Sequence, residues 1–325
     1  MAVVTLQTQR AGGTLGLLDN APLHHRLANV LVSGATCLIK AALPLGLAVF
    51  YPFLEAGPPL WKTAGAALLL AAATTAAVLE ARRHPWFLMG WLWYLVTLLP
   101  VIGLVQAGFQ AMADRYTYLP FAGIFISTTW AGREVAARRP CIAIPLAGSV
   151  AALILLCAFA TALRIRHWRG DFTLFNHAVR ATRVNWMAHY QLAGIHRNQR
   201  AWERTAHHYA EAVRLKSRFF SARLGYGNAL LGLGRTDEAI VQLEEAVRLM
   251  PAHVKVHNKL GLARVRQGRI YATVSSFRRA VELDPGYAEG WKNLGSALAL
   301  MGRTRDAGAA FSRAAMLRGG AGRGQ

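Results

Sequence analysis

The chain has 325 residues, 54% of them hydrophobic, and a formal net charge of +21. That length allows one to three domains, and three cysteines (Cys37, Cys141 and Cys157, all in apolar segments) exclude a disulfide framework or a zinc-ligand spacing. The basic residues are scattered rather than interleaved with aromatics, which argues against nucleic acid as a partner.

The charge is split along the chain. Residues 1–163 hold 10 Lys and Arg against 5 Asp and Glu, whereas residues 164–325 hold 27 against 11. Residues 1–26 form an N-terminal segment. Its start, Met1 to Gly16, has one Arg and no sustained apolar core, so it does not read as a cleavable signal peptide.

Residues 27–163 read as a transmembrane domain of four to five helices. A spanning helix needs about 20 mostly apolar residues. Four segments qualify: Thr63–Leu79, Trp86–Gln106, Tyr116–Gly132 and Cys141–Leu163. A fifth, Leu27–Leu54, is long enough, but Lys40 lies in its middle and Pro44 would kink it. It either spans with Lys40 facing protein or water, or lies along the interface. Arg82 and Arg83 fall in one loop, and Arg133, Arg138 and Arg139 in another on the same side. The positive-inside rule makes that side cytoplasmic and sends the C-terminal half to the other.

At the centre of this half stands Met112-Ala-Asp-Arg-Tyr-Thr-Tyr-Leu-Pro120, a short turn between two apolar spans. Asp114 and Arg115 are candidates for contact with a lipid phosphate or the membrane interface, because a guanidinium suits bidentate phosphate binding. Lys40 joins them as an ionisable group inside an apolar segment. Gly103 and Gly108 would let another helix or a ligand approach closely.

The second half repeats every 34 residues. Gly227, Gly261 and Gly295 keep that spacing, as do Ala212, Ala246, Ala280 and Ala314. Tyr209, Leu243, Phe277 and Phe311 follow it, and Gly234, Gly268 and Gly302 mark the turn inside each unit. This is the tetratricopeptide pattern: small residues where paired helices meet, a large apolar residue filling the gap, and Gly at the turn. Four units result over residues 186–319. A connecting helix precedes them within 164–185, and a Gly/Arg-rich tail, 320–325, reads as disordered. In unit one, Arg200 replaces the turn Gly. The fold class is therefore all-α: multi-pass transmembrane helices, then an α-solenoid.

Such arrays bind peptides or partner helices in the groove lined by the first helix of each unit. Groove positions here include Asn228, Lys255, Asn258, Arg266 and Lys292, and their charge favours an acidic or C-terminal carboxylate ligand. No catalytic residue, metal site or cofactor is identified. His253 and His257 have a ligand-pair spacing, but Pro251 and the turn interrupt the helix there, and no third ligand is apparent.

Gly90-Trp-Leu-Trp93, Leu99-Pro-Val-Ile-Gly-Leu-Val-Gln106, Gln110–Pro120, His167-Trp168 and Thr173-Leu-Phe175, together with the repeats, resemble bacterial relatives of the transmembrane and tetratricopeptide repeat-containing proteins. The resemblance implies a multi-pass, GT-C-type, O-mannosyltransferase-like protein using a polyprenyl-phosphate sugar donor, with its repeats on the lumenal or periplasmic side. Members of that family begin with further membrane helices and an acidic outward loop, and this chain starts after them. Three readings stay open. The first is a scaffold in the bacterial inner membrane with a periplasmic groove for a protein or peptide. The second is the C-terminal part of a glycosyltransferase needing a separately encoded N-terminal part. The third is an inactive truncated product.

Overall fold

The computed structural model describes residues 22–44, 46–52, 57–98, 110–112, 117–182 and 184–321. Among them are fourteen α-helices and one short antiparallel strand pair. The chain divides into two compact units, residues 1–188 and 189–325.

In the first unit, α1 (Leu23–Ala42) starts behind Pro22, whose carbonyl accepts the first amides. It stops before Pro44, which cannot continue it. Leu27–Leu54 is thus not one apolar helix, and Lys40 sits in the last turn of α1 rather than mid-span, where a cation complements the helix dipole. After the stop, β1 (Tyr51–Pro52) pairs antiparallel with β2 (Gln110–Met112), Tyr51 opposite Met112. Asn29 Nδ2 and Ser33 Oγ of α1 donate to the Ala111 carbonyl at 3.2 and 3.4 Å, so the β2 backbone is satisfied by α1 as well. The Lys40 ammonium donates to the Tyr51 hydroxyl and stands 3.8 Å from the centre of its ring.

Next come α2 (Leu60–Glu80), α3 (Pro85–Leu98), α4 (Tyr118–Arg138) and α5 (Pro140–Ile165). α3 and α4 run antiparallel, since Trp93 Nε1 donates to the Leu119 carbonyl and Ser127 Oγ to the Trp86 carbonyl. Gly90 and Gly123 meet there. A Cβ on Gly90 would lie 2.4 Å from the Gly123 carbonyl oxygen, and one on Gly123 2.7 Å from that of Gly90. Close approach therefore comes from these two glycines, while Gly103 and Gly108 lie outside the described residues. Trp91, Tyr94 and Phe121 stack in the core, and the Tyr94 hydroxyl donates to the Gly34 carbonyl at 2.7 Å. Both ends of α1 meet the same end of this bundle. His25 abuts Gly57, just before α2, and Arg164, at the close of α5, donates to the Pro44 carbonyl.

Among the described residues, two stretches could cross a membrane by length and composition: α2, and α5 with the turn after it (Pro140–Trp168). α4 carries Arg133, Glu134 and Arg138 in its last turns. The segment Trp86–Gln106 is helical to Leu98, and its remainder lies outside the described residues. None of the 26 residues of α5 is buried. Cys141 and Cys157 are exposed on α5, whereas Cys37 is packed inside the bundle. α6 (Asp171–Ala181) buries Ala178 with Ala48 and Ala188. The Asn185 side chain caps α7 (Trp186–Asn198) by accepting from the Ala188 amide at 3.0 Å.

The second unit continues with helix pairs. First helices are the rest of α7, then α9 (Phe220–Gly232), α11 (Val254–Arg266) and α13 (Ala288–Leu300). Second helices are α8 (Trp202–Leu215), α10 (Thr236–Leu249), α12 (Ile270–Leu283) and α14 (Thr304–Ala321). First helices begin at 186, 220, 254 and 288, second ones at 202, 236, 270 and 304, each 34 apart. One contact explains the period. A Cβ on Gly227 would lie 2.8 Å from Leu243, on Gly261 2.5 Å from Phe277, and on Gly295 2.9 Å from Phe311. Each glycine lets the large residue 16 positions later fill the space between paired helices. Gly234, Gly268 and Gly302 adopt φ of 77°, 76° and 74° at the turns, and Arg200 takes φ 57° in the same place. The last helix runs to Ala321, past the start of the expected tail.

Candidate peptide-binding groove

A second contact also recurs every 34 residues. Arg223 Nε donates to the Ser217 carbonyl at 2.8 Å, His257 Nε2 to that of Pro251 at 2.8 Å, and Trp291 Nε1 to that of Pro285 at 2.9 Å. Each ties a first helix to the loop before it. His257 is thus engaged in holding its repeat, and His253 sits at the N-cap of α11. Among the described residues no three His, Cys, Asp or Glu side chains cluster as metal ligands.

Asn258 is the best-defined polar group on the first helices. Its side chain is 1% exposed. Its Nδ2 donates to the Tyr287 hydroxyl at 3.1 Å and to Glu289 Oε1 at 3.4 Å, and its Oδ1 accepts from Asn293 Nδ2 at 2.9 Å. The Tyr287 hydroxyl in turn donates to Glu289 Oε2 at 3.1 Å. Burial, then the Glu289 carboxylate, pushes the Tyr287 hydroxyl up to about 12, so it stays a neutral donor. α11 and α13 are joined by this network.

Lys255 is exposed one turn before Asn258, and Lys292 is exposed beside Asn293. These two lysines therefore flank the polar patch centred on Asn258. Asn228 is half-buried on α9, and among the described hydrogen bonds none joins it to the network. Arg266 donates to the Leu231 carbonyl at 2.5 Å, so it links α11 to α9. Several other arginines are taken by acids one turn away, Arg214 by Glu211, Arg235 by Glu238 and Arg303 by Asp306. Asp114 and Arg115 lie outside the described residues, and Lys40 is occupied by Tyr51.

Tyr287, Glu289 and Asn293 escaped the sequence reading. The signal was available, because they sit 29, 31 and 35 residues after Asn258, where one repeat meets the next. A histidine group in the first repeat was also missed. His189 and His208 face each other Nδ1 to Nδ1 at 3.1 Å, and the His196 ring stacks on His208. Burial first, then neighbouring histidines, brings His208 down to about 4. Burial lowers His189 too.

The family model for the TPR repeat matches residues 227–268. The chain carries tetratricopeptide repeats. Solved repeat proteins align with parts of it at low identity. The crystal structure of MamA is 17% identical with a TM-score of 0.45, covering 46% of this chain and 88% of that one. MamA from Desulfovibrio magneticus RS-1 is 20% identical with a TM-score of 0.44, covering 49% and 92%. YrrB, a TPR protein with an unusual peptide-binding site, is 18% identical with a TM-score of 0.43, covering 57% and 92%. No curated protein matches the chain.

Proposed function

We propose that this tetratricopeptide-repeat protein is membrane-anchored and presents its groove, outside the cytoplasm, to an acidic peptide or a C-terminal carboxylate of a protein partner. The patch at Asn258 carries the reading. A buried, fully hydrogen-bonded amide fixes the groove floor, and Lys255 and Lys292 stand exposed beside it. A rigid floor lets two flexible ammonium groups select charge. The anchor rests on α5. A helix apolar on all sides is buried in protein or lies in lipid, and α5 buries none of its 26 residues. At 1.5 Å per residue it is about 39 Å long, enough for a hydrocarbon core of roughly 30 Å. The arginine-bearing loops favour a periplasmic array.

The test uses the full chain in lipid nanodiscs and short acidic, neutral and basic peptides with free or amidated C-termini. Acidic, free-carboxylate peptides should bind best. The double variant Lys255→Glu/Lys292→Glu should lose that preference while its helical signal persists. Equal binding by the variant would move the ligand elsewhere. Arg266 is left intact because it holds two repeats together.

The second reading, the C-terminal part of a glycosyltransferase, rests on the sequence resemblance alone. On that reading Arg115→Ala abolishes transfer from a polyprenyl-phosphate donor once an N-terminal partner is supplied. Unchanged transfer would remove Arg115 from the donor site.

A further inference from the structure

The helix bundle of the first unit contains a cavity of about 520 Å³. Its walls are Leu38, Ala73, Trp86, Phe87, Trp91 and Ile124. The hydroxyls that reach it are already used. Ser127 donates to the Trp86 carbonyl and Thr128 to the Phe125 carbonyl, at 3.0 and 2.9 Å. The cavity therefore offers a ligand chain an almost wholly apolar surface.

One end is different. Glu80 and His84 line the cavity there, at the close of α2 and just before α3. His84 Nδ1 lies 2.9 Å from Glu134 Oε2, and its Nε2 lies 4.0 Å from Glu80 Oε2. Arg138 also pairs with Glu134. Glu134 is thus held by His84 and Arg138, while among the described ion pairs Glu80 meets only His84. Arg82 and Arg83 lie in the turn between the two lining residues, exposed, and among the described residues no carboxylate pairs with either. A dry slot that ends at the turn carrying two exposed arginines is complementary to an amphiphile with an anionic head.

We propose that this cavity holds one acyl chain of an anionic phospholipid, with its phosphate between Arg82 and Arg83. A guanidinium meets a phosphate through two parallel hydrogen bonds, and two of them can enclose one headgroup. The site lies at the arginine-bearing end of the bundle, where α2 closes and α3 begins. It rests on the membrane reading given above.

The experiment reconstitutes the full chain in nanodiscs of phosphatidylcholine and phosphatidylglycerol in equal amounts. Bound lipid is then counted by native mass spectrometry after mild release. The native chain should retain phosphatidylglycerol over phosphatidylcholine by roughly thirtyfold, the worth of two guanidiniums near an anionic surface. Arg82→Glu/Arg83→Glu should abolish that selection. Ala131→Trp, which fills the cavity, should release the lipid, and Ala73→Leu provides a milder filling if the tryptophan variant does not fold. Retention of both lipids alike by the native chain, or undiminished retention after filling, overturns the site and leaves the anchor standing. A chain recovered in solution without lipid overturns the anchor and the site together.

Discussion

Arg200 holds a backbone conformation that three glycines hold elsewhere, and this can be measured. Its φ is 57°, and the turn around it closes with the same hydrogen bond as the others. The Ala201 amide donates to the His196 carbonyl at 3.0 Å, as Arg235 does to Leu230 at 2.9 Å, Arg269 to Arg264 at 3.0 Å and Arg303 to Leu298 at 3.0 Å. A left-handed conformation costs a non-glycine residue roughly 1–2 kcal/mol. Glycine gives back about 0.5–1 kcal/mol through its larger unfolded-state entropy. Arg200→Gly should therefore stabilise the first repeat by about 0.5–1 kcal/mol. Repeat arrays open locally, so amide exchange is the right assay. Amides of α7 and α8 should exchange roughly 2–5 times more slowly. The converse, Gly268→Arg, carries the same balance with the sign reversed and should speed exchange in α11 and α12 by roughly 2–5 times. Unchanged or faster exchange in Arg200→Gly would refute the strain argument.

Acid should weaken the same repeat. Two imidazole nitrogens 3.1 Å apart need one donor and one acceptor, so protonating both is unfavourable. His208 titrates near 4 in the fold because burial disfavours its cation, against 6.5 when exposed. A depressed histidine leaves its contribution intact above about 6.5, and that contribution falls away as pH drops toward 4. With the ring half exposed, the loss is about 1–2 kcal/mol after solvent screening. His208→Gln should flatten the pH dependence of α7 and α8 exchange, and an unaltered profile would discard the pair as its source. Gly261→Ala would place a Cβ 2.5 Å from the Phe277 ring and should cost about 1–3 kcal/mol in thermal denaturation. Asn258→Ala leaves Tyr287 and Asn293 without a shared partner and should cost about 1–3 kcal/mol. If melting is unaffected, the network does not join the repeats.

The repeat architecture was legible because its cause is periodic. A glycine against a large apolar residue every 34 positions leaves a trace that survives the loss of turn Gly at Arg200. The first unit was legible only in composition. Hydropathy shows where apolar residues lie but is blind to direction, so α1 read as part of a longer span, and its two contacts with one end of the bundle could not be foreseen. The groove was half legible for a similar reason. Position in the repeat points to Asn258, but whether its amide awaits a ligand or is held by Tyr287, Glu289 and Asn293 depends on the neighbouring repeat. Arg266 shows the same gap, since a charge on the right face turned out to bridge two helices.

The tie from each first helix to the loop before it is made by a guanidinium, an imidazole and an indole in successive repeats. These side chains differ in size, charge and aromaticity and share only an N–H at comparable reach. What is inherited from unit to unit is thus a proton in a place, not an amino acid. Substitutions there are free to drift among several residue types while the helix stays docked. Resemblance between copies of the unit can therefore erode while the helices still start every 34 residues from 186 to 304 in their two interleaved series, well beyond the 227–268 stretch that the family model matches.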